Sequence, residues 1–170
     1  MNSFQFGVCQ GQNHVTSKQI DTLEGFDLIY VVFVNIALKN GSSNNETRTD
    51  FLKKIPLEQQ LVYALWILDM NVKNGGFSQY YNNSSGELLD LTLLACKKME
   101  LKEYRKIIDN ANNVYLENNS KFSSTINFSN SNRTRFSELN KEYYQLERDN
   151  QIYKSISKYI KLNKKTFISN

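Results

Sequence analysis

Apolar residues recur at helical spacing over most of the chain. Leu57, Leu61, Ala64, Leu65, Leu68 and Val72 fall within a stripe of about 100° when each residue advances ~100°. Val62, Tyr63, Trp66, Ile67 and Met70 fill much of the remaining circumference. A helix apolar nearly all round predicts a central element packed on several sides. Pro56 suits its first turn, where a missing N–H costs nothing. An earlier helix is predicted from about Asp21 to Lys39, stopped by Asn40-Gly41. Its middle, Ile29 to Val34, is β-branched and locally strand-like, but an apolar segment of about twenty residues exceeds strand length.

Downstream, Ser84 and Glu87 have the spacing of a capping box and predict a helix to about Glu100, with Leu88, Leu91, Ala95 and Met99 inward. Another is predicted from about Lys102 to Asn118, burying Tyr104, Ile107, Ile108, Ala111 and Tyr115. Two more cover about Arg133 to Glu147 and Gln151 to Lys165. Residues 1–16 have no sustained period and read as an irregular N-terminal segment. Residues 40–50 and 118–132 read as polar loops, the second pinned by Phe122, Ile126 and Phe128. No repeat and no alternating strand pattern emerges. The expectation is an all-α, single compact multi-helix domain over residues 17–170, with about six helices around a buried central one.

Composition narrows the class. With 170 residues, 40 % apolar and 22 % charged, the chain fits one core and is not disordered by composition. Its most apolar run, Leu28 to Leu38, is about half the ~20 residues a bilayer demands. The N-terminus lacks a basic stretch followed by an apolar one, so a cytoplasmic protein with no membrane association is expected. Cys9, Cys96 and the lone His14 offer no metal-ligand spacing, and Cys96 reads as a buried apolar residue.

The segment Asn74-Gly75-Gly76-Phe77-Ser78-Gln79-Tyr80-Tyr81-Asn82 stands out. Two glycines after an apolar helix predict a sharp corner. A left-handed Gly76 at C′ would let Phe77 donate back to the Val72 carbonyl and touch Val72, as in a Schellman ending. Alanine at Gly76 is then expected to cost about 1 kcal/mol or more. The amides of Asn74, Gln79 and Asn82 and the rings of Tyr80 and Tyr81 form either a structural corner or a recognition surface.

This segment resembles the hallmark of a family of small helical bacterial proteins, mostly of unknown function, named for a member that mimics DNA. The pattern is an apolar helix ending in Asn-Gly-Gly-Phe, then Gln, aromatics and Asn, matched by Asn74-Gly75-Gly76-Phe77, Gln79-Tyr80-Tyr81 and Asn82. The likeness continues into Leu139 to Tyr144, Tyr159-Ile160 and Phe167, so it covers roughly residues 20–168. Family members often carry an acidic residue where this chain has Asn71. The resemblance implies the helical fold and, for the namesake, carboxylates displayed as phosphate surrogates. This chain has 21 basic against 17 acidic residues. A surface imitating DNA needs a strong acidic excess, so the fold is carried over and the mimicry is not.

The basic excess lies late: residues 133–170 hold nine basic and four acidic residues. Lys154, Lys158, Lys161 and Lys165 fall within about 60° of one another on a helix. They read as a solvated face or as an electrostatic contact with an acidic protein or nucleic acid, the latter weakened by the absence of interleaved Arg. Asp69, Glu87 and Asp90 could converge on the corner, but no catalytic constellation or phosphate-binding loop is evident. The expectation is a non-enzymatic macromolecule-binding module without cofactor or metal, most simply a protein-interaction or inhibitor protein. An immunity or antitoxin role and nucleic-acid binding through the C-terminal lysines are the alternatives. The apolar central helices are also compatible with a homodimer.

Overall fold

In the computed structural model of the chain, residues 14–40, 47–84, 86–118 and 128–168 are described. Nine α-helices occur among these residues, with no strand. They are α1 (Ser17–Thr22), α2 (Gly25–Asn40), α3 (Arg48–Lys53), α4 (Leu57–Ser84), α5 (Leu89–Lys98), α6 (Lys102–Asn118), α7 (Asn130–Leu146), α8 (Gln151–Leu162) and α9 (Lys164–Phe167). A 3-10 turn, Glu147–Asp149, joins α7 to α8. The architecture is all-α, as expected. Most of the irregular N-terminal segment, residues 41–46, and Cys9, Phe122 and Ile126 fall outside the described residues.

The central helix has the predicted character. Every residue from Leu61 to Trp66 is buried, and so are Leu68, Asp69 and Val72. α4 packs against α2, α5, α7, α8 and α9, which requires apolar side chains on all sides of its first arm. The carbonyl of Pro56 accepts the first helical amides, from Gln59 and Gln60. α6 buries Tyr104, Ile107, Ile108, Ala111 and Tyr115, as its period requires. Ile152, Ile156 and Ile160 of α8 and Phe167 of α9 are buried. Phe128 is buried and meets Phe136 edge to face at 4.9 Å.

Several boundaries differ from the sequence reading. The first helix is two, and α1 begins earlier through a capping box that the reading passed over. Thr16 accepts from the Gln19 amide at 3.2 Å, while the Gln19 side chain accepts from the Thr16 amide at 2.8 Å. Ser84 does not open the next helix. It still belongs to the helical run of α4, and α5 starts at Leu89 without a side-chain cap. α3 was unforeseen because its six residues are too few for a period to show. Leu57, placed on the inward stripe, is 43 % exposed at the start of α4. The last helix breaks at Asn163, which separates Lys165 from the other three lysines.

Candidate functional site

The corner lies within α4. Gly75 (φ −154°, ψ 22°) and Gly76 (φ 75°, ψ −175°) depart from helical geometry and divide the run into two arms. Gly76 has the positive φ expected, but its ψ is extended, so the residue is not the left-handed cap of a Schellman ending. That conformation is essentially restricted to glycine. The bend is therefore not closed as a Schellman ending, and α7 bonds to its backbone. Asn140 Oδ1 accepts from the Phe77 amide at 2.9 Å. One turn on, the Tyr144 hydroxyl donates to the Val72 carbonyl at 2.6 Å.

Amides brace the opposite side. Asn74 donates to Gln79 Oε1 at 3.1 Å, and Gln79 and Asn83 both donate to Asn71 Oδ1, at 3.4 and 2.7 Å. Asn71 in turn donates to the Ile67 carbonyl at 2.7 Å. Phe77, Tyr80 and Tyr81 are fully buried. Phe77 meets Tyr143 edge to face, and Tyr81 stacks on Tyr115 with centroids 4.3 Å apart. The motif's rings are thus core, and what it presents to solvent is amide, with Asn74 and Asn82 exposed. The local sequence also makes this segment a docking seat for α7.

Beneath the bend is a polar network that the sequence reading missed. Asp69, wholly buried, accepts from Tyr143 at Oδ1 and from Tyr153 at Oδ2, each at 2.8 Å. Lys73, one turn along α4, donates to Asp69 at 2.9 Å, to Glu147 at 2.7 Å and to the Tyr153 hydroxyl at 3.0 Å. Tyr104 donates to the other oxygen of Glu147. One ammonium and three phenols thereby join α4, α6, α7, α8 and the 3-10 turn through two carboxylates. Glu87 and Asp90 are exposed and take no part in this network, so no carboxylate site with Asp69 forms at the corner, in keeping with the sequence pattern.

Burial by itself would weaken Lys73's hold on its proton. Its hydrogen bonds to Glu147, Tyr153 and Asp69 outweigh this and raise its pKa above the ordinary lysine value. Burial pushes the Tyr153 phenol up to about 12 against the opposing pull of Lys73. It raises Tyr104 and Tyr143 as well, reinforced by Glu147 at Tyr104 and by Asp69 at Tyr143. Both Asp69 oxygens accept from protein donors on other turns or helices, which makes this network a clamp between helices.

The lysines occupy a different face. Lys154, Lys158 and Lys161 line an open groove of ≈ 750 Å³, with Glu24, Phe26 and Leu162 among the other lining residues. Lys161 pairs with Glu24, and Lys164, absent from the predicted set, pairs with Asp21 at 2.6 Å. Lys154 and Lys158 are exposed and form no ion pair with a described residue. Lys165 is exposed on α9 and does not line the groove. Among the described residues no group of three His, Cys, Asp or Glu is placed to hold a metal ion. No described helix is long and apolar enough to cross a membrane.

Fold and corner together define a small all-helical protein built on a glycine bend that an aromatic helix holds in place. The chain belongs to the DMP19-like protein family, whose model matches residues 53–163. That span takes in the whole corner, α5 to α7 and α8, but it is narrower than the motif reading and leaves out α1 and α2. No curated protein and no solved structure matches the chain.

Proposed function

We propose that this protein is a non-enzymatic binding module that engages a protein partner, as an inhibitor or neutralising protein, without a DNA-mimicking surface. The reading rests on where its charge lies. Two of its 17 carboxylates, Asp69 and Glu147, are turned inward onto lysine and tyrosines, while the formal net charge is +4. A phosphate surrogate requires the reverse, a dense outward carboxylate array. The DMP19-like family is not a known enzyme family, and the hydrogen bonding of the clamp gives its ionisable groups a structural task.

An immunity or antitoxin role belongs to the same reading, because such proteins also act by covering a partner. Nucleic-acid contact through Lys154, Lys158, Lys161 and Lys165 is the second reading, favoured by the exposure of Lys154 and Lys158. Affinity capture of the full chain from its native cells, followed by mass spectrometry and reconstitution with the purified candidate, tests the proposal. A stoichiometric complex that survives nuclease treatment supports it. Loss of the complex on nuclease treatment favours the second reading, and turnover of a small compound by the pure chain overturns both.

A further inference from the structure

The groove beside α8 has walls of different chemistry. One wall is the α8 face carrying Lys154, Lys158 and Lys161, with Leu162 74 % exposed at its end. Facing it is the α1–α2 junction, with Glu24 and Gly25 leading to Phe26, which is 47 % exposed. Phe26 is fixed in place by stacking on Tyr30 and by contact with Trp66 and Tyr153 at 5.5 and 6.0 Å. Glu24 is the acidic residue of that second side and pairs with Lys161 of the first, which leaves Lys154 and Lys158 as the open cations of the groove.

We infer that this groove docks an extended acidic segment of a protein partner, carrying an apolar residue between its acids. Lys154 and Lys158 are one helical turn apart, a rise of about 6 Å. Acidic residues at every second position of an extended segment are about 6.6 Å apart and point to one side, with the intervening side chain on the other. The acids then face the lysines, while the residue between them faces Phe26. Nucleic acid fits less well. Its charge is distributed around the strand, so phosphates would be pressed against Phe26 and Glu24 on the opposing side.

This inference rests on the proposed function and adds its site and the partner's chemistry. The wall carrying Phe26 precedes residue 53, so the groove is completed by a part of the chain outside the family match. Its occupant is therefore expected to be particular to this chain.

Selection of a displayed random-peptide library against the full chain tests the inference. The enriched peptides are expected to carry acid–apolar–acid runs and to bind less well as salt rises. Their binding should fall about tenfold or more in K154E/K158E and several-fold in F26S, with helicity and melting temperature kept. L162S, on the exposed end of the groove, provides an apolar test independent of the Phe26 stack. No enrichment, enrichment without acids, or binding unaffected by K154E/K158E overturns the docking site. So does duplex DNA binding lost in K154E/K158E, or self-association that these substitutions abolish. A partner captured equally well by wild type and K154E/K158E sinks the groove and leaves the proposed function intact.

Discussion

The carbonyl of Val72 and the amide of Phe77, which a Schellman ending would bond to each other, are bonded instead to Tyr144 and Asn140. Those two residues lie one turn apart on α7. The bend in α4 and the position of α7 are therefore linked, since the buried donor at Phe77 finds its acceptor on α7. An orphaned buried amide costs about 1–3 kcal/mol, enough to couple the two elements. The clamp repeats the arrangement one layer deeper, where Tyr143 on α7 reaches Asp69.

Alanine at Gly76 should be strongly destabilising. Its φ of 75° with extended ψ suits glycine, and an added Cβ would lie 2.8 Å from Cγ of Asn140. Backbone strain of about 1–3 kcal/mol adds to a lost cap worth about 1 kcal/mol. At Gly75, φ is −154° and an added Cβ would press on the Gln79 side chain, so G75A should cost less, about 1 kcal/mol. Urea midpoints at unchanged m-value measure both. Equal effects would mean that Gly76 is not the hinge.

Asn140→Ala and Tyr144→Phe should differ in severity although they remove matching bonds. Phe77 is wholly buried, so its amide has no water to turn to, and N140A should cost about 1–3 kcal/mol. The Val72 carbonyl is buried as well, but a carbonyl with two lone pairs tolerates one unmade bond better than an N–H does, which holds Y144F to about 1 kcal/mol or less. Amide exchange at Phe77 provides the local reading, faster in N140A and little altered in Y144F.

How much of this was legible depended on whether a signal was local. The buried run Leu61 to Trp66 and the inward face of α6 show in periodicity, because each helix reports which of its faces is apolar. The glycine pair announced a corner but not its geometry, because the partners Asn140 and Tyr144 lie more than sixty residues away. The two capping-box spacings show the limit. Thr16 and Gln19 form one, whereas Ser84 cannot also act as an N-cap while it continues the second arm of α4. The Asp69–Lys73–Glu147 network was invisible for a similar reason. Asp69 and Lys73 look like an ordinary surface pair at helical spacing until folding brings Tyr143, Tyr153 and Glu147 to them.

Cys96 should be inert in the native state. It is 1 % exposed, and burial pushes its thiol up to about 12, far from the thiolate that reacts. Alkylation followed by peptide mapping should leave Cys96 unmodified in buffer and label it fully in denaturant. Rapid native labelling would show that α5 opens locally without global unfolding.

The clamp predicts alkaline sensitivity. Lys73 and Tyr153 both hold their protons more tightly in the folded state than in the unfolded chain, whose lysine and tyrosine pKa values are about 10.4 and 10. Above pH ~10 the unfolded chain releases these protons while the native state keeps them, so stability falls as pH rises. For Tyr153 the loss spans pH ~10 to about 12. Tyr104 and Tyr143, also raised, act in the same direction. Y153F should flatten the alkaline limb of a melting-temperature profile relative to wild type. K73M should be less stable at neutral pH by about 1–3 kcal/mol, because Asp69 and Glu147 lose their shared cation while solvent already screens the part-exposed Lys73 and Asp69 keeps its two tyrosine donors. An alkaline slope unchanged by Y153F would show that Tyr153 titrates no differently in the folded and unfolded states.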